Sequence, residues 1–543
     1  MKQKYSLLKT LFIICLFLTQ VYAFAQRDVY LVIGQSNAAG RGAIEAQDMA
    51  PLNGVDLYNG TSWETAINTS AADGGMNRYS TVQKEAQDQG LNFSYTFGKT
   101  VSAVSENQIG LVVNAIGGTS IDSWLPTTGA GYYEAAITRI NEALALGGST
   151  LKGILWHQGE ASRNDSDYLD TLESLITSLR TDLGIPNLPV IVGQISKQRT
   201  DNDTFNANIK TITDPLNVSN YIPYTDYVTT DGLSTSDRTH FISNSQRVLG
   251  YRYAAKILEM IYGFPYVQNE IVPISEDAFV RGGTSADIVQ QTIDSEYIRI
   301  KETSPIGNNT RRGLVKFDIS SITSTTDRLI IDTTLIINAD LTDSDSSDDK
   351  EAMNINFYNI DTNWTESTVT FNNAPNFTNL ISSGNSNFYI EGLRQRGADI
   401  TDYIKDQYAL GTTTVALGLQ STSNDGTAQL KFITKEDSAT PSTASYLVVS
   451  YINTSSTLGS NTQNNKLDQF KVSYTNPVND NMLISSQFIM NEINLYSITG
   501  KLLKKQEIHN TSATVNTSNL VSGAYIMSIT SENEMISKLI LKK

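Results

Sequence analysis

Cysteine is nearly absent from this chain of 543 residues, and histidine is rare. The single cysteine, Cys15, lies in an apolar stretch at the start, where the better cleavage site that follows it argues against a lipid anchor. Once that stretch is removed, no disulfide and no thiol nucleophile remain. The 3 histidines leave few candidates for any chemistry that needs an imidazole.

Positively charged residues are also fewer than acidic ones. The chain has 40 lysines and arginines against 56 acidic residues, a formal net charge of −16. Such a chain repels phosphate backbones and anionic lipids, so no nucleic-acid partner and no membrane-surface partner is expected. Beyond residue 25 no apolar run is long enough to cross a bilayer, so we expect no membrane insertion.

Residues 1–25 have the pattern of a secretory signal peptide. A basic start precedes an apolar core at residues 11–18, and Ala23 and Ala25 supply the small residues of a cleavage site. Cleavage before Gln26 leaves a chain long enough for roughly three domains of about 150 residues each. The protein is therefore expected outside the cell or at its surface.

Strand-like and helix-like segments alternate between residues 26 and 264. Short apolar runs typical of buried strands are separated by segments whose apolar residues recur at helical spacing. The strand-like runs are residues 28–33, 109–114, 152–156 and 188–195, and the helical segments are 133–145, 168–183 and 244–262. This alternation predicts an α/β fold with a parallel sheet covered by helices on both faces, in three layers.

Two all-β regions are predicted to follow. Residues 270–452 contain short β-rich runs separated by turns rich in Asp, Ser, Asn and Gly, a pattern typical of an antiparallel sandwich. Residues 453–466 are polar and indicate a flexible linker. Residues 467–543 again alternate apolar and polar side chains and suit a small β-sandwich.

A serine directly follows the first predicted strand. Residues 28–33 run into 34–37 (GQSN), and ligands of parallel sheets bind at the carboxyl ends of the strands. Ser36 therefore stands where a nucleophile would, with small neighbours and backbone N–H groups available to a developing oxyanion. Alone, the pattern is more often an ordinary polar turn, so Ser36 needs a base beside it.

Only two histidines lie in the α/β region. His240 follows Asp237 by three residues, and on a tight turn the carboxylate accepts a hydrogen bond from Nδ1–H and orients the ring. His157 ends the third strand as a candidate base, substrate contact or buried structural residue. Glu160 is a rival carboxylate partner, ranked below Asp237. His509 lies far outside this region.

Two further strand ends offer hydrogen-bond donors. The amide of Gln158 suits an oxyanion hole. Gly117 and Gly118 permit unusual dihedral angles and close backbone approach, so one of their N–H groups is a candidate donor beside that of Ser36. A simple strand-to-helix turn is the alternative for the glycines. Chance placement of all four features at strand ends of one sheet is improbable.

Four segments together resemble the sialate O-acetylesterase and carbohydrate esterase family 6 branch of the SGNH hydrolases. They are residues 34–37 (GQSN), 117–121 (GGTSI), 156–160 (WHQGE) and 237–241 (DRTHF). The resemblance covers about residues 27–262. It implies a three-layer SGNH domain and a Ser-His-Asp esterase that removes acetyl groups from sugars with no metal or other cofactor.

Carried over position by position, the resemblance implies Ser36 as nucleophile, His240 as base and Asp237 as the residue that orients it. The oxyanion hole would comprise the N–H of Ser36, the N–H of Gly118 in preference to Gly117, and the side chain of Gln158. Expected substrate contacts are Asn37, His157 and Glu160. The acidic residue usual after QGE is displaced by residues 161–163 (ASR), which is expected to alter substrate contacts and not the triad.

The later regions carry two more resemblances. Four segments resemble DNRLRE-type domains related to polysaccharide-binding modules: residues 277–283 (DAFVRGG), 314–318 (LVKFD), 364–375 (WTESTVTFNNAP) and 432–436 (FITKE). This implies a sandwich that holds a polysaccharide, with a structural spacer as the alternative and Trp364 as either core or sugar platform. Four others resemble the type A sorting domain of type IX secretion: residues 476–477 (NP), 493–501 (INLYSITGK), 520–525 (LVSGAY) and 538–543 (KLILKK). This implies export by the type IX machinery and no catalytic meaning for His509.

An acidic loop in the middle region is a candidate calcium site. Its members are Asp343, Asp345, Asp348 and Asp349. The EF-hand pattern fails because the sixth position is Asp348 instead of glycine and the twelfth is Asn354 instead of glutamate. A solvated turn is favoured, and no metal site is expected.

The combined interpretation is a secreted carbohydrate O-acetylesterase acting on an acetylated polysaccharide or oligosaccharide. A polymer is favoured because an attached binding module raises the local enzyme concentration on it. Xylan, algal polysaccharide, sialic acid and peptidoglycan all remain open as substrates. Three alternatives stay open: a non-catalytic carbohydrate-binding protein, an SGNH esterase acting on lipids or thioesters, and a surface adhesin built around the sandwich.

Overall fold

A computed structural model gives the fold of most of the chain. It describes residues 26–70, 74–82, 90–214, 217, 219–265, 267–292, 297–325, 327–342, 355–384, 394–422, 429–436, 445–453, 472–474, 478, 480–497, 502–521, 523–530 and 535–542. The predicted signal peptide at 1–25, the acidic loop at 343–349 and most of the predicted linker, from 454 onwards, lie outside these residues. Among the described helices, none combines the length and apolar character needed to cross a membrane.

The N-terminal region is built on one seven-stranded sheet. Its strands are β1 (Arg27–Gly34), β2 (Val55–Tyr58), β3 (Trp63–Thr65), β4 (Gln108–Val113), β5 (Ser149–His157), β6 (Val190–Gly193) and β7 (Thr225–Val228). Their order is β3-β2-β4-β1-β5-β6-β7, and every pairing except that of β2 with β3 is parallel. The helices of this region are α1 (Ser36–Ala39), α2 (Ser94–Ser105), α3 (Tyr132–Ala145), α4 (Tyr168–Asp182), α5 (Asp203–Thr211) and α6 (Ser243–Tyr262).

Both faces of this sheet are buried under helices. Alternate residues of β1 point to opposite sides: Val29 and Leu31 join a core with α3, α4 and α5, whereas Tyr30 and Val32 join a core with α2 and α6. A strand buried on both faces reads as a continuous apolar run, which is what the sequence shows at residues 29–33. The predicted three-layer α/β/α fold is confirmed.

Strand register brings the motif-bearing strand ends together. Val32 of β1 lies beside Val113 of β4 and Leu155 of β5, and Gly34 lies beside His157. The segments that leave β1, β4 and β5 therefore emerge at one edge of the sheet, where ligands of such sheets bind.

The middle region is antiparallel. Its strands are β8 (Gln268–Arg281), β9 (Tyr297–Ile300), β10 (Arg311–Asp318), β11 (Arg328–Thr342), β12 (Ile355–Asn359), β13 (Asn379–Gly384), β14 (Arg394–Asp399), β15 (Thr414–Ser421), β16 (Gln429–Ile433) and β17 (Tyr446–Asn453), with helices α7 (Ser320–Thr323) and α8 (Thr401–Leu410). The first half of β8 pairs with β17 and its second half with β10, so this strand joins two sheets around a shared apolar core. Trp364 is 6% exposed and packs in a second cluster with Ala278 and Val280, so it is a core residue and not a sugar platform.

The C-terminal region is a five-stranded antiparallel β domain. Its strands are β18 (Val472–Tyr474), β19 (Asn481–Ser497), β20 (Leu502–Asn516), β21 (Gly523–Thr530) and β22 (Met535–Lys542). Met482, Ile493, Val515 and Met527 form part of its buried core. The predicted all-β character of both later regions is confirmed.

Candidate active site

The turn after β1 is shaped by a glycine that no other residue can replace. Gly34 has a φ of 135°, and a Cβ built on it would lie 2.1 Å from the backbone oxygen of His157. The backbone N–H of Gln35 donates to that same oxygen at 2.9 Å. Ser36 follows as the first residue of α1, so its own N–H has no intrahelical acceptor.

A small closed loop, residues 235–241, carries Asp237 and His240 and is called the histidine loop. Thr235 and Phe241 form an antiparallel bridge, and the N–H of Ser236 donates to the backbone oxygen of His240 at 2.9 Å. Inside the loop Arg238 adopts a left-handed φ of 70°, which turns the chain sharply. The bridge fixes both ends of the segment that carries Asp237 and His240.

Asp237 stabilises this turn through its carboxylate. Oδ1 accepts the backbone N–H groups of Thr239 at 3.0 Å and His240 at 2.7 Å. Burial acts to raise the pKa of Asp237, but the hydrogen bonds from the His240 ring and from these N–H groups outweigh it and hold the pKa below its usual value. The carboxylate is therefore kept ionised, with Oδ2 left for the imidazole.

Ser36, His240 and Asp237 lie in line. Ser36 Oγ is 3.1 Å from His240 Nε2, and His240 Nδ1 is 2.6 Å from Asp237 Oδ2. Because an ionised carboxylate only accepts hydrogen bonds, Nδ1 carries the hydrogen and Nε2 presents its lone pair to the serine hydroxyl. This is the order of nucleophile, base and orienting acid found in serine hydrolases. The serine is 3% exposed, whereas the other two side chains reach solvent.

Asn37 connects the turn at residues 34–37, which carries Ser36, to the loop that carries His240. Its Oδ1 accepts the N–H of Phe241 at 3.0 Å, and its Nδ2 donates to the backbone oxygen of Thr239 at 3.0 Å and to Glu160 Oε1. The side chain has no exposed surface. The predicted substrate contact at Asn37 does not fit this burial.

His157 is enclosed below the site. It has no exposed surface, its Nδ1 lies 3.2 Å from the hydroxyl of Tyr253, and its Nε2 lies 3.9 Å from Glu160 Oε1. Burial lowers the pKa of His157 to about 3, so the ring is neutral. Burial likewise raises the pKa of Glu160. Neither a base role nor a substrate contact fits His157, and Glu160 bonds to Asn37 in place of either histidine.

Gln158 lies between the two segments expected to donate to an oxyanion. Its Nε2 is 3.0 Å from the backbone oxygen of Thr119, 3.2 Å from Gln35 Oε1 and 3.3 Å from Ser162 Oγ. With three protein acceptors around two hydrogens and no exposed surface, this amide is not the free oxyanion donor predicted from the sequence. It instead joins Gln35, which precedes Ser36, to Thr119, which follows Gly118.

The glycine segment after β4 is open to solvent. Gly118 is exposed with a left-handed φ of 72°, and a Cβ there would meet no atom within 4 Å. Gly117 is half-buried. Gly118 is thus the more exposed of the two glycines, and its choice over Gly117 as an oxyanion donor stays a prediction.

Sequence reasoning missed two residues near the site. Gln35 Oε1 accepts from Gln158 and from the N–H of Ala161 at 3.3 Å, which couples two motifs. Arg163 Nη1 donates to the backbone oxygen of Glu160 at 2.7 Å and brings a cation to this edge. Both stand in segments that the sequence analysis names, Gln35 in 34–37 and Arg163 in 161–163, but neither was given a role of its own.

One group of carboxylates with metal-ligand spacing occurs among the described residues, and it lies in the sandwich. Asp277, Glu366 and Glu436 place oxygens within 4.8 Å of one another. Lys435 Nζ already lies 2.8 Å from Glu366 and pairs with Glu436 as well. A cation of the chain itself thus pairs with two of the three carboxylates of this group, which is remote from the serine in sequence and fold.

A parallel sheet flanked by helices, with a serine, a histidine and a carboxylate aligned at its strand ends, is the arrangement of an SGNH-type esterase. The chain belongs to the carbohydrate esterase family described as sialic acid-specific acetylesterase, whose profile matches residues 26–259. A probable carbohydrate esterase of Arabidopsis thaliana is 31% identical over 186 residues, covering 30% of this chain and 67% of that protein.

The later regions also match known families. Residues 269–451 match carbohydrate-binding module family 96, and residues 472–543 match a secretion system C-terminal sorting domain. The sorting domain indicates a secreted or cell-surface protein. Solved structures that resemble the chain include a protein from Arabidopsis thaliana (24% identity, 43% of this chain and 98% of that one, TM-score 0.36) and a carbohydrate acetylesterase from Xanthomonas citri (14% identity, 78% of each chain, TM-score 0.32).

Proposed function

We propose that the region from residue 26 to 264 is a carbohydrate O-acetylesterase in which Ser36 is the nucleophile, His240 the base and Asp237 the residue that orients it. The observation that carries the proposal is the continuous contact from Ser36 Oγ through the His240 ring to Asp237, at 3.1 and 2.6 Å. The family to which the chain belongs supplies the substrate class.

The mechanism follows from these contacts. Ser36 Oγ attacks the acetyl carbonyl carbon while its proton passes to His240 Nε2. The tetrahedral intermediate collapses, the sugar oxygen leaves with the proton held by His240, and the acetyl group remains on Ser36. A water molecule then gives its proton to His240 and attacks the acetyl carbon, and acetate departs as Ser36 regains its hydrogen.

For the oxyanion we propose the N–H groups of Ser36 and Gly118 as donors. The first has no helical acceptor, and the second lies in an exposed segment. Gln158 supports both by bonding to Gln35 and to the backbone oxygen of Thr119. We assign Asn37, Glu160 and His157 to holding the site together, because their burial leaves little or no surface for a sugar.

We further propose that the substrate is an acetylated polysaccharide and that the enzyme works outside the cell. The family 96 match on residues 269–451 supports a glycan-binding middle domain at 270–452, which would concentrate the esterase on a polymer. The sorting-domain match supports export through the type IX machinery, with residues 1–25 as the signal peptide, 453–466 as a linker and 467–543 as the sorting domain.

Substitution of Ser36 by Ala tests the proposal. With a soluble acetyl ester and a panel of acetylated glycans, Ser36→Ala and His240→Ala should lose nearly all acetate release while their circular dichroism spectra stay unchanged. His509→Ala, at an exposed position of β20, is the matched control and should retain wild-type turnover. Full activity in Ser36→Ala would overturn the assignment, and the glycan releasing acetate fastest would identify the substrate.

A further inference from the structure

The esterase and sandwich regions share a buried interface. Tyr251 and Leu258 of α6 pack with Ile331 and Ile452 of the sandwich in one apolar cluster. Arg247, also on α6, lies 3.7 Å from Asp399 of β14, with both side chains largely buried. Burial of apolar surface and of an ion pair makes this a fixed contact, unlike two domains joined by a linker alone.

At the edge of this interface two glycines approach backbone to backbone. A Cβ built on Gly397 of β14 would lie 2.3 Å from the backbone oxygen of Gly232, so only glycine fits there. Ile336 of β11, which is paired with Gly397 in the sheet, also packs onto Gly232: a Cβ on Gly232 would lie 2.2 Å from Ile336 Cδ1. The sandwich therefore touches the esterase region at one defined backbone position.

Gly232 lies in the same connection, between β7 and α6, that presents Asp237 and His240. Before the glycine, Arg252 donates to the backbone oxygens of Thr229 at 2.6 Å and Asp231 at 2.9 Å. The start of this connection is thus fixed to α6, the helix that also carries the interface.

After the glycine the connection is held just as closely. The N–H of Ser234 donates to Ser245 Oγ at 2.7 Å, and Thr235 Oγ1 donates to Gln198 Oε1 at 2.7 Å. Thr235 then forms the bridge with Phe241 that closes the histidine loop. Because the connection is hydrogen-bonded on both sides of Gly232, a displacement of Gly232 is transmitted along the chain to His240.

From these contacts we propose that the sandwich is a structural support of the active site: Gly397 and Ile336 are positioning residues that hold the Asp237–His240 loop through Gly232. The inference rests on the proposed catalytic roles of those two residues. It assigns the middle region a part in turnover that is separate from glycan binding, so hydrolysis of a small acetyl ester without a sugar also depends on the interface.

Two matched pairs of substitutions in the full chain test this. Gly397→Ala forces a displacement of about 1 Å at Gly232, and misplacement of that size lowers turnover about 10- to 100-fold. Its control is Gly307→Ala in the same region, where the nearest atom would be 3.8 Å away. Ile336→Val removes only the methyl that meets Gly232, and Ile337→Val makes the same change one residue on, where the side chain lies in the sandwich core.

With 4-nitrophenyl acetate as substrate, Gly397→Ala and Ile336→Val should lower kcat with KM little changed, the first more strongly. Both should also speed hydrogen exchange at the Ser236 amide, which bonds to the backbone oxygen of His240. Both controls should retain kcat, and Ile337→Val should lower only the unfolding temperature. If Gly397→Ala fails to fold, the Ile336 and Ile337 pair decides alone.

Wild-type kcat and loop exchange in folded Ile336→Val and Gly397→Ala would overturn the inference, as would an equal loss of kcat in Ile337→Val. Those results differ from a failure of the proposed function, which would appear as activity in Ser36→Ala. An inactive Ser36→Ala together with fully active interface variants would leave the triad standing and remove the support role.

Discussion

Asn37 Oδ1 accepts the backbone N–H of Phe241 at 3.0 Å, and this bond connects the turn that carries the serine to the loop that carries the histidine. The two segments come from opposite ends of the esterase region. The distance between Ser36 Oγ and His240 Nε2 therefore depends on a side chain that touches neither reacting atom. The Asn37 amide also donates to the backbone oxygen of Thr239 and to Glu160, so both of its N–H hydrogens are used.

Asn37→Ala should lower kcat on a small acetyl ester about 10- to 100-fold with little change in KM. The reason is that the histidine loop loses its attachment to the turn at residues 34–37. Steady-state kinetics and labelling of Ser36 by a serine-directed phosphonate measure the effect. Asn208→Ala, on the exposed side of α5, is the control and should behave as the wild type. An unchanged labelling rate in Asn37→Ala would contradict a positioning role.

Much of the site was predictable because it depends on topology. In a parallel sheet the segments after each strand meet at one edge, so the sequence alone predicts that residues 34–37 and 156–160 are neighbours. The fold class followed from apolar runs such as residues 28–33, which are buried on both faces of the sheet. The spacing of Asp237 and His240 similarly pointed to a local contact on one tight turn.

Side-chain direction was not predictable in the same way. His157 and Gln158 stand at the correct strand end, but burial is decided by partners distant in sequence, such as Tyr253 for the ring and Thr119 for the amide. The contact between Gly232 and Gly397 had no sequence signal either, because a glycine that leaves room for another backbone looks like any turn glycine.

Asp237→Asn should lower kcat by about 10²- to 10⁴-fold, because an amide in place of the carboxylate no longer fixes the His240 tautomer or stabilises the imidazolium. Glu160→Gln is the matched change at the rival carboxylate and keeps the oxygen that accepts from Asn37, so its kcat should fall far less. The test compares kcat of the two variants, and circular dichroism checks that both fold. A larger loss of kcat in Glu160→Gln than in Asp237→Asn would indicate that Glu160 orients His240.

Gln158→Leu should lower kcat by up to about 10²-fold, since it removes the amide that joins Gln35 to the backbone oxygen of Thr119. Because we assign the amide a supporting role, hydrogen exchange in residues 117–120 should accelerate as well. A direct oxyanion donor would give the kcat loss with exchange in that segment unchanged. Kinetics and exchange measured on the same preparation therefore separate the two roles.

His157 should make the stability of the esterase region depend on pH. Burial lowers its pKa in the folded protein to about 3, whereas in an unfolded chain a histidine titrates near ~6.5. Between those values only the unfolded state binds the extra proton, so the free energy of unfolding falls as the pH is lowered, by up to about 1.4 kcal/mol per pH unit. Urea unfolding followed by the fluorescence of buried Trp124 and Trp156 should show this slope in the wild type and in His509→Gln, and a smaller slope in His157→Gln. Parallel curves for wild type and His157→Gln would show that the ring is not held neutral by burial.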